Sequence, residues 1–139
     1  MSEFNSIFEY LPQQYPFVML DRVVSIEHGE KSIALKNVTT TEFWVPGHFR
    51  GKPIFPGALM IEAMAQAGGL IFVDTGSGKK VGMITAVNDV KFLKTVVPGD
   101  TLIIESEKIA QLGKQAKVKS EIKINDKVVA KGTISYVFE

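Results

Sequence analysis

Cysteine is absent from the 139 residues, which removes disulfides, thiolate nucleophiles and cysteine-based metal sites together. Histidine occurs only as His28 and His48, and without acidic residues at ligand spacing beside them no metal site is expected. Neither sign of charge dominates: 16 basic and 15 acidic side chains leave a formal charge of +1, so no global field marks a nucleic-acid or membrane-surface binder. Low-complexity tracts, repeats and linkers are missing as well, so no domain boundary is drawn and residues 1–139 read as one domain. The first residues carry Glu3 and Glu9 but no basic segment followed by an apolar one. A secretory signal is therefore not expected, and the chain reads as cytoplasmic.

Long apolar runs are scarce, with one exception. From Pro53 to Val73 the single charge is Glu62, and about 20 apolar residues would be enough to cross a bilayer. Pro56 and Gly57 interrupt that run near its start, its flanks are strand-like, and an ionisable group at mid-span is expensive. A helix buried by its own protein explains the same letters. It is expected from Ala58 to about Asp74, opened by Pro56 and Gly57 and stopped by TGSG at 75–78.

Most of what remains reads as strand. Residues 18–28 and 31–39 flank a hairpin signal at Gly29 and Glu30. Residues 81–93 and 101–110 supply two more strands. In KQAKVKSEIKI, Ala116, Val118, Ser120, Ile122 and Ile124 alternate with Lys117, Lys119, Glu121 and Lys123, the period of a half-buried antiparallel strand whose lysines face solvent. Asn125 and Asp126 turn the chain, and Val128, Ala130, Ile134, Tyr136 and Phe138 return on one face. A short helix over residues 4–10 precedes all of this. The fold class is α+β, an antiparallel sheet of about six strands with one long apolar helix against it. A helix so incompletely wrapped calls for a second copy, so at least a homodimer is expected.

Chemistry concentrates in GHFRGKPIFPGALMIEAMAQ, residues 47–66. Glu62 and Gln66 are four apart and share the only polar stripe of the helix. A carboxyl in apolar surroundings keeps its proton, which makes it a usable general acid; the competing reading is a surface glutamate. His48 sits in a loop stiffened by proline and freed by glycine. Alone it signals little, since a loop histidine is as often a packing or surface residue. His28, in the hairpin, reads as solvated. The first N–H groups of the helix, near Gly57, lack intrahelical acceptors and suit a carbonyl or a developing oxyanion. A base, an acid and an oxyanion donor in one cleft are what loss of water from a β-hydroxy thioester requires.

LPQQYPFVMLDRV, GHFRGKPIFPGALMIEAMAQ and VKFLKTVVPGDTL resemble, in that order, the signature stretches of the FabZ-type 3-hydroxyacyl-(acyl-carrier-protein) dehydratases of fatty-acid synthesis. The resemblance implies a hot-dog fold, with dimers commonly arranged as a trimer of dimers. It implies His48 as the catalytic histidine, Glu62 as the acid and the Gly57 amide on the thioester carbonyl. It also implies that the Ile54 carbonyl holds the His48 ring, that Gln66 bonds Glu62, and that histidine and glutamate meet across the dimer interface. The implied partner is an acyl carrier protein bearing a phosphopantetheine-linked acyl chain. Lys52, Lys91 and Lys94 are candidates for its docking patch, and the chemistry calls for no cofactor or metal. Phe43, Trp44, Phe49, Phe55, Met60, Met64 and Phe72 are candidate tunnel-lining residues, with ordinary core packing as the alternative.

The sequence departs from the family pattern at Gln13 and Gln14, where His-Arg is usual, at Arg50, where proline is usual, and at Trp44–Val45. These bear on carrier contacts and acyl preference rather than on the matched catalytic positions. Glutamate at 62 resembles the dehydratase-only branch, since the isomerising relatives carry aspartate. The alternatives are a hot-dog acyl thioesterase and a non-catalytic acyl-thioester binding protein.

Overall fold

The computed structural model describes residues 7–73 and 81–139. Its strands are β1 (Arg22–Glu27), β2 (Lys31–Asn37), β3 (Gly82–Phe92), β4 (Thr101–Leu112), β5 (Gln115–Ile124) and β6 (Lys127–Phe138), and its helix is α1 (Gly57–Gly69). All pairings are antiparallel, in the order β1-β2-β4-β5-β6-β3. The helix packs on β2, β4, β5 and β6, as the α+β expectation of one helix on a six-stranded sheet requires.

Two cross-strand rows make room for the helix. Ala34, Ile104, Ile122 and Ala130 lie opposite one another, as do Ser32, Ser106, Ser120 and Gly132, and all eight are buried. The second row is small, so the last turns of α1 approach the sheet closely. Its hydroxyls are satisfied: Ser32 Oγ donates to the Ala67 carbonyl at 2.6 Å, and Ser106 and Ser120 bond each other at 2.7 Å. Nearby, Tyr136 Oη donates to the Ala65 carbonyl at 2.7 Å. A Cβ on Gly68 would collide with that hydroxyl and stand 3.1 Å from Val118 Cγ1. Gly68→Ala is therefore expected to cost about 1–3 kcal/mol through displacement of Tyr136, despite its better helix propensity, and a denaturant titration reads the loss directly.

Turn chemistry follows the sequence. Gly29 has φ 78° in the β1–β2 hairpin, and Asn125 and Asp126 have φ 49° and 67°, the paired left-handed conformations of a two-residue hairpin turn. Several boundaries differ from expectation, among them the ends of β2 at Asn37 and of β4 at Leu112. The α-helix stops at Gly69 and tightens into a 3-10 turn over Leu70–Phe72, because Gly68 and Gly69 together hold a helix poorly; Asp74 and the TGSG segment lie outside the described residues. The N-terminal helix is a 3-10 turn over Ile7–Glu9, with residues 4–6 outside the description. Residues 18–21 are not strand: the Met19 N–H is taken by the Gln66 side chain at 2.8 Å, and only the Asp21 N–H reaches β2, at the Leu35 carbonyl, 2.8 Å away. In β6, a bulge opposite Ile122 and Lys123 makes Val129, rather than Val128, the fully buried residue.

Among the described residues the strand β3 is an edge, paired only with β6. Met83, Ile84, Val87 and Phe92 along it, and Leu93 just beyond, are exposed. A long apolar edge of this kind is a template for pairing with another chain.

Candidate active site

His48 lies in the irregular segment between β2 and α1, and local hydrogen bonds fix it. Its N–H and that of Gly47 both donate to the Trp44 carbonyl, at 3.0 and 3.1 Å, and its own carbonyl accepts the Ile54 N–H at 2.8 Å. The ring nitrogen Nδ1 is 2.7 Å from the Ile54 carbonyl. A carbonyl can only accept, so Nδ1 carries the proton and the Nε2 lone pair is left to act as a base. The Phe49 ring stacks on the imidazole with centroids 4.0 Å apart. Phe49 and Lys52 exchange backbone hydrogen bonds at 2.9 and 2.8 Å, and Gly51 has φ 73°. Arg50 is thereby carried to the exposed tip of a tight turn.

Helix α1 supplies the other groups. Leu59 and Met60 N–H both donate to the Pro56 carbonyl at 3.0 Å, and the amides of the first helical residues, Gly57 and Ala58, precede that bonding. Gly57, Ile54, Phe55, Met60, Phe92 and Lys94 line one cavity with His48. A Cβ at Gly57 would come within 3.1 Å of the Phe92 ring, so glycine keeps the helix start open.

Glu62 is half-buried, five residues beyond Gly57. At 100° per residue the two positions point roughly 140° apart around the helix. Glu62 accordingly lines a different cavity, of about 300 Å³, with Leu11, Phe17, Gln66, Met83, Tyr136 and Phe138 among its walls. Gln66 is buried and its amide orientation is set by its partners. Its oxygen accepts the Met19 N–H, so its nitrogen donates to Glu62 Oε2 and to the Phe17 carbonyl, each at 2.8 Å. Burial raises the Glu62 pKa, the Gln66 hydrogen bond opposes this, and the net direction is upward. With Oε2 already accepting, Oε1 is the oxygen left to hold an acid proton. Burial, with the neighbouring Glu62 charge, also pushes the Tyr136 hydroxyl up, which keeps it neutral as the donor to Ala65.

One chain thus brings His48, Ile54, Phe55 and Gly57 together, and brings Glu62 and Gln66 together, in two separate cavities. The tunnel candidates divide differently from expectation. Trp44, Phe55, Met60 and Met64 are buried core residues, Phe43 and Phe49 are exposed, and Phe72 lines the Glu62 cavity. Core packing is the better account of the first four, although Phe55 and Met60 also floor the His48 cavity. Of the lysines, Lys94 borders the His48 cavity, whereas Lys91 lies in another cleft with Asp89, Lys119 and Lys131. Sequence reading missed Tyr136, Phe138, Leu11 and Phe17 as walls of the Glu62 cavity, since they come from two segments far from α1 in the chain, the N-terminal one and β6. His28 is exposed, as expected, but its Nδ1 is 2.9 Å from the Val73 carbonyl. Among the described residues no group of three or more metal-ligating side chains lies together.

An antiparallel sheet wrapped around one helix is the hot-dog architecture, and here a loop bearing His48 enters at the helix start. A family model described as a FabA-like domain matches residues 11–133. The chain is 41% identical to the 3-hydroxyacyl-(acyl-carrier-protein) dehydratase FabZ of Syntrophomonas wolfei subsp. wolfei, over 92% of this chain and 90% of that one. It is 38% identical to the enzyme of the same name from Caldicellulosiruptor saccharolyticus, over the full length of both. Among solved structures, the dehydratase heterocomplex ApeI:P from Xenorhabdus doucetiae superposes with a TM-score of 0.83 at 21% identity, over 97% of this chain and 91% of that one. The chain belongs to the FabZ family of 3-hydroxyacyl-(acyl-carrier-protein) dehydratases.

Proposed function

We propose that the protein removes water from 3-hydroxyacyl chains on acyl carrier protein, giving trans-2-enoyl thioesters for fatty-acid synthesis, at a site shared by two copies of the chain. The observation that carries the shared site is the division of His48 with Gly57 from Glu62 with Gln66. In this reading His48 Nε2 takes a proton from C2, and the Gly57 N–H stabilises charge on the thioester oxygen. Glu62 Oε1 gives its proton to the departing 3-hydroxyl as the C2–C3 double bond forms. The products are the enoyl thioester and water, with the thioester bond untouched. The proton gained by His48 must return to Glu62 before the next turnover.

The exposed apolar edge of β3 supports a homodimer formed along that strand, since its burial needs a second surface. The trimer of dimers rests on the family resemblance. Lys94, at the rim of the His48 cavity, suits the phosphate of the carrier's pantetheine arm. Among the described residues no helix is long and apolar enough to cross a membrane; the cytoplasmic setting follows from the proposed pathway.

Incubation with a 3-hydroxyacyl pantetheine thioester, followed by ultraviolet absorbance of the conjugated enoyl product, tests the reaction. Enoyl formation without thiol release is expected. Thiol release without enoyl product would favour the thioesterase reading, and binding without turnover the non-catalytic one. Lys94→Glu is expected to lower kcat/KM about tenfold for carrier-bound substrate and little for the pantetheine thioester.

A further inference from the structure

Lys36 is a buried titratable group that the proposed mechanism does not use. It lies on β2, on the helix-facing side with Ser32 and Ala34, and is only 5% exposed. Its Nζ is 2.7 Å from Glu42 Oε1, and Glu42 Oε2 accepts the Thr39 N–H at 2.8 Å. The same ammonium sits 5.5 Å from the centroid of the Phe55 ring, which packs edge-on against Trp44 at 5.4 Å. A buried ion pair is weak as a source of stability, because desolvation cancels much of its attraction. What it does well is fix one arrangement of the chain.

The arrangement it fixes is the segment that holds His48. The Glu42 carbonyl accepts the Val45 N–H at 3.2 Å and begins the turn, and the Trp44 carbonyl then takes the Gly47 and His48 N–H groups. On the other side, Phe55 is the residue after Ile54, whose carbonyl holds the imidazole. Lys36 therefore touches both ends of the frame around His48: Glu42 where the turn starts, and Phe55 beside the carbonyl that orients the ring.

We propose that Lys36 and Glu42 are positioning residues for His48, holding the loop so that the Ile54 carbonyl keeps the imidazole with its proton on Nδ1 and its Nε2 free. The pair acts through the loop rather than on substrate. The inference rests on His48 being the base, and its first readout does not need turnover. Imidazole ¹⁵N spectra of the full-length protein report directly which ring nitrogen is protonated.

The wild type is expected to give a single Nδ1-protonated His48. In Lys36→Met the resonances are expected to move toward a tautomer mixture, with kcat for enoyl formation about 10–100-fold lower and KM within about twofold. Glu42→Gln is the milder variant and decides if Lys36→Met does not fold. The double variant should lose little more than either single one, since the pair works as a unit. Folded variants with the wild-type His48 spectrum and wild-type kcat, differing only in Tm, would overturn the proposal. A wild type that makes no enoyl product would instead overturn the dehydratase reading, and the ring spectra would still decide the positioning role.

Discussion

His48→Ala and Glu62→Gln are each expected to lower kcat for enoyl formation by about 10²–10⁴-fold, the range for removing a general acid or base. Both proteins should stay folded. Glu62→Gln is nearly isosteric, and its new amide oxygen can accept the Gln66 donation that Oε2 now receives at 2.8 Å. What it lacks is a transferable proton. His48→Ala removes the ring that donates to Ile54 but leaves the backbone bonds through Trp44 and Ile54 in place. Because the proposed mechanism has both groups act in the transition state more than in binding, KM should change little for either variant. Stopped-flow or steady-state absorbance at the enoyl band separates these parameters, with thermal melts as the control for folding.

Gln66→Leu is expected to do the most structural damage at the site, about 2–4 kcal/mol in denaturant unfolding. The side chain is 2% exposed and three groups depend on it: the Met19 N–H, the Phe17 carbonyl and Glu62 Oε2. Leucine fills the space but leaves the buried Met19 donor without its acceptor. The same change alters the pH dependence, and its sign can be worked out. In the proposed mechanism the active acid is protonated Glu62, so activity is expected to fall as pH rises through its pKa. Burial has already raised that pKa, and the Gln66 hydrogen bond pulls it down. With the bond gone, only the raising influence remains, and the basic limb of the kcat profile should move to higher pH. A limb that moves to lower pH would show that the Gln66 contact favours the neutral acid instead.

How much of this was legible in the sequence depends on whether one chain supplies the constraint. The strands β4, β5 and β6 announce themselves because one face of each is buried by α1, which enforces alternation. The Asn125–Asp126 turn is visible for a local reason, the tolerance of both residues for positive φ. The end of the helix is less legible, since apolar letters continue past Gly69 and only backbone entropy stops the α conformation. Residues 18–21 alternate like a strand, but the Met19 N–H is committed to a side chain 47 positions away. For β3 the sequence pattern gives a strand without telling which face is covered, because among the described residues no residue of the strand is fully buried.

The site divides in the same way. The His48–Ile54 contact spans six residues and belongs to a motif that the family resemblance marks. The Glu62–Gln66 pair follows from helical spacing alone. Lys36 leaves a trace, since the alternation of SIALKN puts a lysine on the buried face, yet its explanation is a loop residue, Glu42. The walls of the Glu62 cavity come from the N-terminal segment, β3 and β6, and no local pattern brings these together.

The central claim is that base and acid come from different copies of the chain, and mixing the two inactive variants tests it most directly. His48→Ala and Glu62→Gln subunits are allowed to exchange, mixed dimers are verified by native mass spectrometry, and enoyl formation is then measured. In each mixed dimer one site pairs the intact His48 of one copy with the intact Glu62 of the other, while the second site lacks both. With random exchange half the dimers are mixed, so about a quarter of wild-type activity should return. Mixed dimers with no more activity than the parents would contradict the account and place both groups of each working site within a single chain.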